Sequence, residues 1–83
     1  MEPSPATVAR ILTEGLFYRL LVHPEDRGSA FTWEKFTGLA VQRVKDELFL
    51  YFERDTTLED QDIAELAART TAEGLLHQHH FLP

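Results

Sequence analysis

Imidazole and carboxylate groups crowd one short run of the sequence, Glu73-Gly74-Leu75-Leu76-His77-Gln78-His79-His80. On an unbroken helix Glu73, His77 and His80 stand at i, i+4 and i+7, along one side of the cylinder. Two imidazoles and a carboxylate suit zinc, nickel or copper, so these three residues are the candidate metal ligands. Gly74 interrupts the run and a fourth ligand is missing. His23 would supply one only if the fold brought it to the same end. The competing reading packs His77 beside Phe81 and leaves His79 and His80 in solvent, with a pH-sensitive contact as a further use of the imidazoles.

Carboxylates form the second constellation. Asp46, Glu47, Glu53, Asp55, Glu59, Asp60, Asp62 and Glu65 lie in a stretch whose sole arginine is Arg54. Spaced acids of this kind can dock on a basic groove, and Asp55, Glu59, Asp60 and Asp62 are the candidate contacts. The same residues also read as a solvated face plus the acids that favour a helix start. Glu59-x-x-Asp62 could begin a magnesium site, but adjacent Asp46-Glu47 point about 100° apart on a helix and make a poor second pair. The formal net charge is −6, from 14 acidic residues against 8 Lys and Arg. That disfavours direct nucleic-acid binding, which needs a basic face to neutralise phosphates.

Nucleophilic chemistry has little to work with. There is no cysteine, hence no disulfide or thiolate site. Ser4 and Ser29, the only serines, fall at a cap and a turn. The four glycines are scattered singly, so no phosphate-cradling loop forms. An enzyme built on this chain would have to borrow residues across a subunit interface.

The elements that position these groups read as helices. Ser4 can cap a first helix over residues 5–22, with Pro5 at its opening position. Val8, Ile11, Leu12, Leu16, Tyr18 and Val22 follow a period near 3.6, and Gly15 in that stripe suggests close approach by another helix. His23-Pro24 ends it, because the residue before proline is driven from the α region. Residues 32–53, capped by Thr32, read as one long middle helix with Trp33, Phe36, Ala40, Val41, Val44, Leu48, Tyr51 and Phe52 on a single stripe. The alternative is a short antiparallel meander, supported by Leu48-Phe49-Leu50-Tyr51-Phe52 and by Thr37-Gly38. A third helix opens at Thr56 or Thr57 with a capping box to Glu59 or Asp60, shows Ile63, Leu66, Ala67 and Thr70 as its apolar face, and ends at Gly74 or continues past His77.

The expected fold is therefore all-α, a single-domain three-helix bundle over residues 1–83, with α+β (helix, meander, helix) as the alternative. At 83 residues, folding hides only roughly 60–65% of the unfolded chain's surface. Yet hydrophobic residues make up 43%, including six Phe, two Tyr and one Trp. Phe17, Phe49 and Leu50 fall outside the main stripes and are the candidate self-association contacts, most simply in a symmetric homodimer. No apolar run approaches the roughly 20 residues of a membrane span, and Met1-Glu2-Pro3-Ser4-Pro5 lacks a basic signal-peptide start, so a cytoplasmic location is expected. The functional expectation is a non-enzymatic interaction module that self-associates and binds a protein partner with a basic surface. A metal-binding module and a small subunit-interface enzyme are the alternatives.

Overall fold

The computed structural model describes residues 2–82, which form three α-helices and no strand: α1 (Pro5–Val22), α2 (Phe36–Glu47) and α3 (Leu58–Gln78). Helix α1 begins where the sequence places it. Ser4 Oγ accepts the Thr7 N–H at 3.1 Å and Pro5 takes the first position, where a missing N–H costs nothing. It ends at His23, and a 3₁₀ turn (Pro24–Asp26) carries the chain away. The Arg27 guanidinium then donates to the Leu20 carbonyl at 2.7 Å, and Arg19 pairs with Asp26 at 3.0 Å, so the connection is stitched back onto α1.

The middle helix is the shortest of the three, not the longest. The span 32–53 divides into a 3₁₀ turn (Trp33–Lys35), α2, and a second 3₁₀ turn (Leu48–Tyr51), after which Phe52 is extended. Thr32 makes no side-chain cap. Aromatic side chains lose rotamer freedom in an α-helix, which weakens the case for continuing it through Phe49 and Tyr51. The tightened turn keeps Leu48 in the core and Phe52 against it, while the three residues between them project outward.

Helix α3 opens with a complete capping box. Thr57 Oγ1 accepts the Asp60 N–H at 3.0 Å, and Asp60 Oδ2 accepts the Thr57 N–H at 2.9 Å. It passes through Gly74 without a break and closes in a Schellman cap. His80 adopts a left-handed φ of 61°, the Phe81 N–H bonds the Leu76 carbonyl at 2.9 Å, and the His80 N–H bonds the His77 carbonyl at 3.1 Å.

Two buried clusters fix the packing. One joins Val8 and Ala9 of α1 to Val41, Val44, Leu48, Ala64 and Ala68; the other joins Phe17 and Leu20 to Phe36, Ala40, Ala72, Leu75 and Leu76. The early residues of α1 thus meet the early residues of α3 and the late residues of α2, giving an up-down-up bundle. On α3 the core face is the alanine ladder Ala64, Ala68 and Ala72, spaced by four and fully buried; of the expected face, Ala67 packs against the core while Ile63, Leu66 and Thr70 are exposed. Small side chains let α1 and α3 lie close together, and an isoleucine or leucine in the seam would hold them apart. On α1 the expected stripe divides: Val8 is buried and Leu12 and Leu16 pack against the core, whereas Ile11, Tyr18 and Val22 are exposed and Ala9, Thr13, Phe17 and Leu20 complete the buried face. Gly15 meets no neighbouring helix, so close packing within the monomer does not account for it.

Phe17, expected at a self-association surface, is instead fully buried. Its ring centroid lies 5.4 Å from that of Phe36, edge to face, and 5.2 Å from that of Trp33. It anchors the aromatic end of the core.

Candidate functional site

The end of the bundle opposite Phe17 gathers exposed apolar and acidic groups. The Leu48–Tyr51 turn presents Phe49 and Leu50 at 58% and 64% exposure, with Tyr51 beside them. The chain then runs extended toward α3. Phe49, Phe52, Glu53, Arg54, Asp55 and Thr56 border an open hollow of about 800 Å³, and Tyr51 and Glu53 border a smaller one with Glu2 and Pro3.

Arg54, the one cation of the acidic stretch, is consumed internally. Its guanidinium donates to Asp60 Oδ2 at 2.6 Å and Oδ1 at 3.4 Å, to Glu2 Oε2 at 3.3 Å and to the Asp55 carbonyl at 3.0 Å. It also lies 5.1 Å from the Phe52 ring centre. Asp60 is consumed with it. The Arg54 hydrogen bonds, followed by the Thr57 N–H, hold its carboxyl at about 2, below the ordinary 3.8. Asp60 is therefore the cap and anchor of α3, and its charge is already answered within the chain. Asp55, Glu59 and Asp62, the other three candidate contacts, are exposed, as is Glu53, and none of these four carboxylates has an ion-pair partner among the described residues.

The Asp60 shift carries a pH dependence of known sign. A carboxyl whose pKa is depressed on folding contributes stability above its unfolded value and loses it as pH falls through the folded value. Thermal stability should thus be constant near neutrality and fall between about pH 4 and pH 2, the interval set by 3.8 and about 2. Asp60→Asn should lower Tm at pH 7 and flatten the curve over that interval. Parallel melts of both chains followed by circular dichroism check this, and an unchanged slope would show that Asp60 is not the titrating group.

The candidate metal ligands are not brought together. Glu73 and His77 are exposed on α3, but His80 sits in the left-handed position after the helix has ended, and the reversal carries it away from their row. Among the described residues no three His, Asp or Glu side chains converge as a metal site, which also disposes of a magnesium pair built on Glu59 and Asp62. His23 bonds Glu25 at 3.0 Å instead. Nothing in this arrangement selects zinc, nickel or copper. The competing reading is corrected as well. His79, not His77, packs inward, its ring 4.9 Å from Phe17 and its Nε2 buried without a partner. The missed signal is Phe81, an apolar residue five positions after Leu76, the spacing that a Schellman cap joins by a hydrophobic contact.

No helix among the described residues is long and apolar enough to cross a membrane. Comparison with protein-family models, curated proteins and solved structures returns no match to this chain.

Proposed function

We propose that this chain is a non-enzymatic interaction module that self-associates and acts by occupying a basic surface on another protein. The observation that carries the reading is the juxtaposition of exposed Phe49, Leu50 and Tyr51 with the unpaired carboxylates of Glu53, Asp55 and Glu59 at one end of the bundle. Exposed aromatic and aliphatic side chains supply the desolvated centre of an interface, and acids around it steer a cationic partner and set its orientation. Arg54 supports the division of labour: by neutralising Asp60 and Glu2 it stiffens the end without adding a positive group that would repel such a partner.

Affinity capture from the native host tests this reading with three baits: the wild-type chain, Phe49→Ala/Leu50→Ala, and Asp55→Lys/Glu59→Lys. The expected result is a basic protein retained by the wild type, lost from both variants, and released by raising the salt concentration. Circular dichroism should be the same for all three baits, because none of the replaced side chains is buried. Retention by both variants would refute the assignment of this surface.

A further inference from the structure

We infer that the segment after α3, residues 79–82, is a latch that opens and recloses over the aromatic end of the core while the bundle stays folded. It lies at the end opposite Phe49 and does not depend on the partner surface proposed there.

Closure carries two costs that opening removes. The first is in the backbone. His80 holds a φ of 61°, in the left-handed region where a Cβ crowds the backbone and where glycine normally stands in a cap of this kind. The second is in the side chain before it. His79 turns its ring inward, with centroids 4.9 Å from Phe17 and 6.1 Å from Tyr18 and Phe81, and its Nε2 is buried there without a hydrogen-bond partner. A buried polar atom left unpaired is a cost that contact with water relieves. Two adjacent residues thus both favour release.

The contacts that oppose release are mostly apolar. Phe81 stacks on Trp33 with centroids 4.6 Å apart and reaches Phe17 at 6.1 Å, and Leu82 packs against the same cluster. The polar ties are backbone hydrogen bonds of the cap, from the His79 N–H to the Leu75 carbonyl, from the His80 N–H to the His77 carbonyl and from the Phe81 N–H to the Leu76 carbonyl. Among the described residues no side chain of residues 79–82 makes a hydrogen bond or an ion pair.

The elements beneath the latch are secured without it. Helix α3 is seated by buried Leu75 and Leu76, and Arg27 ties the α1–α2 connection to the Leu20 carbonyl. The segment can therefore leave without unwinding either one, as a local opening rather than global unfolding. Leaving uncovers part of the Phe17 and Trp33 rings, so the latch controls whether this end presents aromatic surface to solvent.

Native-state hydrogen exchange at the Phe81 amide tests the inference on the whole chain, with circular dichroism as the check on folding. In the wild type that amide should exchange through an opening that leaves the Ala72 and Leu76 amides protected. His80→Gly removes the crowded Cβ and should raise protection at residue 81 about fivefold or more. His79→Phe removes the unpaired nitrogen without altering the turn, and should raise it as well. Phe81→Ala removes the stack on Trp33 and should lower it. A Phe81 amide as protected as those of Ala72 and Leu76 would overturn the latch. So would protection that rises in neither histidine variant, or that is unmoved by Phe81→Ala.

Discussion

Phe17→Ala is expected to lower the stability of this protein by about 3–5 kcal/mol, the usual range for deleting a buried aromatic ring. The side chain is fully buried and touches Trp33, Phe36, His79 and Phe81, which belong to the α1–α2 connection, to α2 and to the α3 terminus. Those neighbours come from separate elements, each fixed by its own turn, so they cannot close over the void. A domain of this size has a total stability of roughly 4–12 kcal/mol, so a large share is at stake. At about 4–8 °C per kcal/mol, Tm should fall by well over ten degrees. The same variant separates two roles for the residue. A Phe17 lying on a partner surface would lose binding with Tm unchanged, whereas the buried Phe17 described here costs stability first.

Thr13→Val is expected to act in the opposite direction, raising stability by about 1–2 kcal/mol and Tm by several degrees. Thr13 is fully buried between the two core clusters, and its Oγ1 has no hydrogen-bond partner. Burying an unpaired hydroxyl is costly, and valine offers nearly the same shape without that cost. Thermal melts of the two chains at one pH decide it. A Tm unchanged or lowered by the substitution would mean that the hydroxyl is satisfied in solution.

The starts of α1 and α3 were the most legible part of this fold, because a capped start is a local event, whereas the expected cap at Thr32 does not form. Ser4-Pro5 and Thr57-x-x-Asp60 carry their hydrogen-bond partners within four residues, and both caps form as their sequences imply. Helix phase was much less legible. On α1 Ile11, Tyr18 and Val22, and on α3 Ile63, Leu66 and Thr70, stand out in the sequence yet face outward, because each helix carries a second apolar face that is the buried one, and on α3 that face is built from alanines. Alanine contributes little to a hydrophobic pattern yet controls how near two helices can come, and that distance is decided between elements. The turn at Leu48–Tyr51 depends on tertiary contact in the same way: Leu48 and Phe52 must both reach the core while the chain changes direction between them. Of the candidate contacts, exposure of Phe49, Leu50, Asp55, Glu59 and Asp62 was readable from sequence. The engagement of Asp60 with Arg54 and the burial of Phe17 required the fold. His80 was misread for a related reason. A left-handed cap normally advertises itself with glycine, and here an imidazole occupies the position.

The reversal at His80 also brings Phe81 back over Trp33, the two rings stacked with centroids 4.6 Å apart and planes within 3°. Arg27 covers the same indole at 5.0 Å. Since Trp33 is the sole tryptophan, the chain carries a native fluorophore at the meeting point of the α1–α2 connection and the segment after α3. Its emission is an optical gauge of whether that end is closed. It requires no label, and because it is remote from the Phe49 end, a change in it reports closure of the fold rather than occupancy of the acidic surface.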